Sequence, residues 1–287
     1  MSDPYLVMGI VNVTPDSFSD GGEFLDAGAA VEHGLALAQE GAHILDIGGE
    51  STRPGAEPVS RDEELRRVVP VLEGLAARRT SARLSIDTSK AAVARASLQA
   101  GADLVNDVTA LRGDPEMAEL VASSNADCCL MHMLGEPRTM QAHPRYDDVV
   151  DEVKSFLEQR MAFAVREGIA EERILLDPGI GFGKTVEHNL ELLRRLDEIV
   201  ALGRPVAIGT SRKSFLGRIA GNRDARERLA GTIATNVIAL ERGARVFRVH
   251  DVRPVSDALA VASATLTGRW TASSTTIPTA SARSASG

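Results

Sequence analysis

Three stretches of the chain share one grammar: Gly41-Ala42-His43-Ile44-Leu45-Asp46, Gly101-Ala102-Asp103-Leu104-Val105-Asn106 and Gly243-Ala244-Arg245-Val246-Phe247-Arg248. In each, a glycine closes the preceding helical pattern in the left-handed conformation that a Cβ disfavours. Alanine makes a tight join, an apolar pair opens a strand, and a polar residue arrives five positions after the glycine. Equal offsets from equal turns predict that Asp46, Asn106 and Arg248 stand at similar heights near the ends of their strands.

Outward from these repeats, an apolar run, a polar end and a helical pattern follow one another eight times. Strands are expected near residues 5–11, 43–48, 83–87, 103–107, 127–132, 173–177, 204–209 and 245–250. Their polar ends are Asn12, Asp46, Asp87, Asn106, His132, Asp177, the Ser211-Arg212-Lys213 turn, and Arg248 with His250. Helical patterns fall near 26–40, 62–77, 89–100, 115–123, 147–168, 186–199, 213–242 with a break, and 253–267. Ser60-Arg61-Asp62-Glu63 has capping-box spacing, and Pro70 is expected to kink or shorten the helix that follows. Strict alternation of strand and helix implies parallel strands with covering helices. The 287 residues suit a single-domain (β/α)8 TIM barrel, an α/β fold of roughly 250 residues. A doubly wound open sheet would gather its ligand residues at one switch point, whereas here polar residues come from nearly every strand. Residues 1–270 are read as the catalytic domain and 271–287, rich in Ser, Thr and Ala, as a flexible tail unable to bury enough apolar surface to order itself.

A hydrophobic fraction of 44% with aromatics at 3% gives an aliphatic core. The net charge of −8 argues against a nucleic-acid surface, so any anion must be met by local cations. Adjacent Cys128 and Cys129 lie in an apolar run, poorly placed for a disulfide or a metal cage, and read as buried strand thiols in a reducing compartment. Met1-Ser2-Asp3-Pro4 has no signal-peptide pattern, and no run approaches the roughly 18 apolar residues of a membrane span. A soluble, cytoplasmic protein is expected.

Asp177-Pro178-Gly179-Ile180-Gly181-Phe182-Gly183-Lys184-Thr185 invites a phosphate-loop reading and fails it. The P-loop pattern needs glycine where Pro178 stands, and the dinucleotide fingerprint needs one at Lys184. What remains is a strand ending in Asp177 and a turn that lets a ligand approach the backbone. Asn12 to Gly22 and Gly48 to Gly55 are long polar connections of the kind that act as lids at a barrel's catalytic rim. Arg53, Lys213, Arg248 and His250 supply cations for an anionic group such as a phosphate. Ser214, at the start of a helical pattern, is placed to hold a carboxylate. Asp87 and Asp177 close apolar strands, and an aminopyrimidine or guanidine-like edge with paired N–H donors would satisfy them. Asp251 and Glu50 are further candidates for acid/base work.

Taken in order, the motifs resemble the dihydropteroate synthase family, the folate-pathway enzymes that sulfonamides inhibit. The resemblance runs from about Met8 to about Leu266. It rests on Met8 to Gly22, Gly48 to Gly55, Ser85-Ile86-Asp87-Thr88, Asn106-Asp107-Val108, Met131-His132-Met133, Asp177 to Lys184, Ser211-Arg212-Lys213-Ser214 and Arg248-Val249-His250-Asp251. It implies a transferase that joins 6-hydroxymethyl-7,8-dihydropterin pyrophosphate to p-aminobenzoate by an SN1-like route, releasing pyrophosphate and 7,8-dihydropteroate. By resemblance, the pterin lies against Asp87, Asn106, Asp177 and Lys213, with Met131, Gly181 and Phe182 beside it. Pyrophosphate falls to Asn12, Arg53, Arg248 and His250, with the cofactor Mg2+ near Asn12. The p-aminobenzoate pocket is assigned to Phe18, Thr52, Pro54, Lys213 and Ser214. Asp20 and Arg53 join Asp87 and Lys213 as catalytic residues, brought in by the two rim loops. A homodimer with small-molecule substrates, and neither nucleic acid nor membrane as partner, completes the expectation. The alternatives are a pterin-dependent methyltransferase domain, which needs no pyrophosphate site, and a non-catalytic pterin-binding paralogue, whose loops or cation set would be degraded.

Overall fold

The computed structural model describes residues 4–14, 27–51, 55–136 and 138–269. Its strands are β1 (Leu6–Asn12), β2 (Ile44–Gly48), β3 (Arg83–Asp87), β4 (Leu104–Asp107), β5 (Asp127–Met131), β6 (Ile174–Asp177), β7 (Ala207–Ile208) and β8 (Val246–Val249). All pair in parallel in the order β6-β5-β4-β3-β2-β1-β8-β7. A bridge between Leu176 and Val206 joins β6 to the β7 side and closes the ring. That closure removes the open-sheet alternative.

The glycine grammar works as the sequence implied. Gly41, Gly101 and Gly243 have φ of +106°, +111° and +98°. Each ends a helix: α1 (Ala27–Gln39), α3 (Ala91–Gln99) and α9 (Leu229–Glu241). The alanine after each glycine donates back across the cap, Ala42 to Leu37, Ala102 to Ser97 and Ala244 to Ala239, at 2.9–3.0 Å. This paired closure of the last turn satisfies carbonyls that the helix leaves over and delivers the chain directly into a strand. The other helices are α2 (Arg61–Ala77), α4 (Met117–Ser124), α5 (Val149–Arg166), α6 (Val186–Arg194), α7 (Leu196–Val200), α8 (Ser214–Ile219) and α10 (Val252–Thr267).

Three departures have local causes. Pro70 sits on the exposed side of α2, which runs unshortened through it; there the carbonyl left without a partner can face water. The helix expected over 186–199 divides at Arg195, whose φ and ψ of −108° and 27° leave the helical region. β7 is only two residues long, because Pro205 has no N–H to extend the ladder, although its carbonyl still accepts from Leu176 N–H of β6 at 3.0 Å.

Strand tilt decides which side chains share a level. Ladder partners run Asp46 to Ser85 to Leu104, but in a tilted barrel the level position advances along each successive strand. Applied around the whole ring, two residues per two strands puts Asp46, Asn106, Asp177 and Arg248 in one layer. Below it lie Met8, Ser85, Cys129 and Ala207, and below those Ile44, Leu104, Leu175 and Val246; all but Ser85 form one apolar cluster. Above it lie Ile10, Asp87, Met131 and Gly209. Alternate strands thus supply alternate layers. Here a layer that usually holds branched apolar side chains is wholly polar. Outside the ring, a second cluster including Leu45, Ile47, Leu72, Leu75, Val105 and Phe247 packs strands against helices. Cys128 faces this outer core and Cys129 the barrel axis, both as buried free thiols.

Candidate active site

A cleft opens over the polar layer at the C-terminal rim. Its floor is Asn106, Asp177 and Arg248, and its walls include Ile10, Asp87, Met131 and Gly209 from the layer above. Ile180, Phe182 and Lys213 cover one side, and Ser211 and His250 close another. This is the face at which barrel enzymes place their chemistry, because loops from every strand converge there.

Asp46 organises the floor. Its Oδ1 accepts from the Ser85 hydroxyl at 2.5 Å, and its Oδ2 from Asn106 Nδ2 at 3.0 Å and Arg248 Nε at 2.6 Å. The second arm of the Arg248 fork, Nη2, donates to Asp87 Oδ2 at 2.7 Å. One guanidinium therefore spans two buried carboxylates, as only a planar fork can. Burial disfavours the Arg248 cation, but Asp46 and Asp87 outweigh it and hold its pKa above that of an ordinary arginine. Burial also pushes the Asp87 carboxyl up to about 7, against the pull of Arg248 and with Asp46 adding to the rise.

Asp177 lies across the cleft. Burial raises its pKa, while the Gly179 N–H, which donates to Oδ1 at 2.7 Å, and the charges of Lys213 and Arg248 draw it back. Burial drives Lys213 down to about 7, opposed by Asp177 and Asp87. The Lys213 ammonium reaches the Ile180 carbonyl and lies 4.1 Å above the Phe182 ring. A cavity lined by carboxyls that want donors, a cation over an aromatic ring and an apolar wall suits a flat, polar-edged heterocycle.

The glycine-rich turn is no phosphate cradle. Gly179, Gly181 and Gly183 have φ of +66°, +83° and +64°, and the turn folds tightly against its neighbours. A Cβ on Gly179 would stand 1.9 Å from the His132 carbonyl, and one on Gly181 would stand 2.7 Å from Lys213 Cδ. Lys184 points away from the cleft into the protein.

The structure brings Asp87, Asn106, Asp177, Lys213, Met131, Phe182, Arg248 and His250 to one cleft. Gly181 backs Lys213. Asn12 ends β1 opposite Gly48, two positions above the cleft-lining Ile10. Ser214 is the exposed first residue of α8. Phe18, Asp20, Thr52, Arg53 and Pro54 lie outside the described residues, as does the tail at 271–287. Two acid/base candidates have other partners: Asp251 holds Arg212 through both oxygens at 2.5 and 2.9 Å, and Glu50 pairs with Lys90 at 2.6 Å and accepts from Val59 N–H. Sequence reading gave Asp46 a height but no role, and it missed Lys184. The equal-offset repeat held the signal for Asp46; none existed for Lys184.

Comparison with known proteins agrees with this geometry. A family profile described as pterin binding enzyme matches residues 8–250. The dihydropteroate synthase of Synechocystis sp. is 48% identical over 258 residues, covering 90% of this chain and 89% of that protein. Xanthomonas albilineans dihydropteroate synthase with 4-aminobenzoic acid superposes with a TM-score of 0.86 at 50% identity, covering 92% of this chain and 94% of that one. The Xanthomonas albilineans enzyme in complex with 7,8-dihydropteroate gives a TM-score of 0.83 at 47% identity, over the same shares. The chain belongs to the pterin-binding enzyme family and, within it, to the dihydropteroate synthases.

Proposed function

We propose that the chain condenses 6-hydroxymethyl-7,8-dihydropterin pyrophosphate with p-aminobenzoate, giving 7,8-dihydropteroate and pyrophosphate. The observation that carries this is the set of buried Asp87, Asn106 and Asp177 with half-buried Lys213 facing one cleft. Its carboxylates accept paired N–H donors from a pterin edge, its amide complements them, and Lys213 over Phe182 borders the ring. Arg248 and His250 line the same cleft and are the cations we assign to the pyrophosphate, with Ser211 3.0 Å from His250 Nδ1.

The reaction breaks the bond between the pterin methylene carbon and the pyrophosphate oxygen, whose electron pair departs with the pyrophosphate. Arg248 stabilises the growing negative charge there. The cationic methylene left behind is stabilised by the buried Asp87 carboxylate, which Arg248 aims from behind at 2.7 Å. The aniline nitrogen then supplies a lone pair to that carbon and gives up its proton to the departing pyrophosphate. No side chain forms a covalent bond. The rim loops of the sequence reading would exclude water, which would otherwise capture the cation.

Asn12, at the end of β1 on the same rim, would hold Mg2+ through its amide oxygen, a hard donor. Among the described residues no group of three His, Cys, Asp or Glu forms a rival cage. One protein ligand with waters and phosphate oxygens is a usual Mg2+ arrangement. When bound, the ion would neutralise charge on the pyrophosphate.

Pyrophosphate release tests the proposal. With dihydropterin pyrophosphate and Mg2+, release should depend on p-aminobenzoate and should fall on chelation; pterin binding without release would favour a non-catalytic paralogue. We propose that the active form is a homodimer in the cytoplasm; the dimer is supported by Ile238, Val261 and Leu266, which are 45%, 69% and 53% exposed on α9 and α10. The active preparation should therefore sediment as two chains, and a monomeric active species would exclude the dimer. Among the described residues no helix is long and apolar enough to cross a membrane.

A further inference from the structure

The turn from Gly179 to Gly183 has every one of its main-chain carbonyls met by a side chain. Lys184 Nζ donates to Gly179 O at 2.9 Å and Phe182 O at 3.0 Å, and Lys213 Nζ to Ile180 O. Gln141 Nε2 donates to Gly181 O at 2.5 Å and the Tyr146 hydroxyl to Gly183 O at 2.9 Å. Asn189 Oδ1 takes the Gly181 N–H at 2.7 Å. Lys184, only 3% exposed, makes its third contact to His132 Nδ1 at 2.9 Å.

Three acceptors surround Nζ, which matches the three N–H donors of an ammonium. Two of these acceptors are main-chain carbonyls and the third is His132 Nδ1 in its Nε2–H tautomer, so the site can hold an ammonium against the burial that pulls the lysine's pKa down. Burial and the Lys184 charge keep His132 neutral, its pKa lowered to about 2, so Nδ1 can accept. The His132 ring packs edge-on to Phe156, 4.9 Å between centroids, and its backbone N–H donates to the Asp177 carbonyl at 2.9 Å. Lys184 thus sits behind the turn whose front presents Ile180 and Phe182 to the cleft.

We propose that Lys184 is a positioning residue for the pterin half of the cleft: its sealed ammonium locks the glycine turn, thereby placing Phe182 and Lys213, and counters the Asp177 carboxylate from the far side. The inference deepens the pterin reading of the cleft and rests on it. The groups that face Asp177 are Lys213, Arg248, Lys184, the Gly179 N–H and the Cys129 thiol. Removing one of the three cations raises the Asp177 pKa, so a pterin edge that needs the carboxylate binds well only at higher pH.

Lys184→Met keeps the unbranched side chain to within one atom of its length and removes its charge and donors. In the full-length protein, calorimetric binding of dihydropterin pyrophosphate should weaken about tenfold, while KM for p-aminobenzoate stays within about twofold, the scale of one misplaced charge-assisted bond. The acid limb of pterin binding should move to higher pH. A role confined to stability would lower Tm and move neither the substrate split nor the acid limb, and that result overturns the inference. If Lys184→Met does not fold, His132→Phe decides: it keeps the ring packing and removes one acceptor, and should shift pterin binding selectively in the same direction. Unchanged pterin affinity there is equally fatal. Wild-type protein that binds no pterin would instead sink the pterin reading of the cleft, so the two failures are distinct.

Discussion

Asp46 accepts from Ser85, Asn106 and Arg248 yet lies beneath the cleft rather than in its lining. It therefore aims the side chains that touch substrate. Asp46→Ala would leave a half-buried guanidinium with Asp87 alone and a buried amide without its acceptor, and breaking a largely buried pair of this kind costs about 3 kcal/mol. Denaturant unfolding should show a loss of that size; a loss under about 1 kcal/mol would mean that Arg248 is held by Asp87 alone. Asp87→Asn separates the other role: it lines the cleft, so turnover should fall far more than stability. The position of Asp46 was readable from its offset after Gly41, whereas its partners were not, because Ser85, Asn106 and Arg248 converge only once strand tilt is known. Lys184 was further out of reach. It stands in a motif that suggests an outward phosphate contact, and its inward turn depends on His132, a residue on another strand end.

At the scale of elements, the strands were legible wherever glycine, alanine and an apolar pair followed a helix directly. Gly168 makes the same cap, with φ of +94° and Ile169 donating back to Ala164 at 3.0 Å. There a 3-10 turn at Glu171–Arg173 delays β6, so the five-residue offset is lost and the repeat hides. The split at Arg195 was hidden for a different reason. Its side chain binds Asp148 at the start of α5 and Glu198 within α7, both at 2.7 Å, a tertiary demand that periodicity does not express. The glycine-rich turn offers a test of what its backbone requires. Gly179→Ala adds a Cβ at 1.9 Å from a carbonyl oxygen on top of a left-handed φ, whereas Gly203, with φ of +84°, has nothing within 4 Å. Gly203→Ala should cost only the left-handed penalty, about 1–2 kcal/mol. Gly179→Ala should cost more, because β6 or the His132 segment has to move, and should also weaken pterin binding. Equal shifts in Tm for the two variants would show that the turn yields freely.

Across the whole molecule, the barrel carries a polar layer where apolar packing would be more stable, and the energetic consequence is readable as a pH dependence. Asp87, raised by burial to about 7, binds a proton in the unliganded folded state that the unfolded chain releases near the ordinary carboxylate value of about 3.9. Its contribution to stability is thus fully present below that value and is lost as pH rises through about 7, at about 1.4 kcal/mol per pH unit in between. Lys213, lowered to about 7, acts with the opposite sign. Its site favours the neutral amine, so stability falls as pH drops from the ordinary lysine value of about 10.4 towards 7 and falls no further below it. On these two accounts the empty cleft is least stable near neutrality, where both groups are charged or nearly so, and a pterin that pairs with them should stabilise the protein most there. Unfolding of unliganded wild type and of Asp87→Asn, compared across pH, isolates the carboxyl. The wild type should lose stability relative to the variant between the two values and run parallel to it outside them. Curves parallel throughout would mean that Arg248 and Asp46 hold Asp87 at an ordinary pKa, and that the layer is a settled ion-pair network instead of a site strained in favour of its ligand.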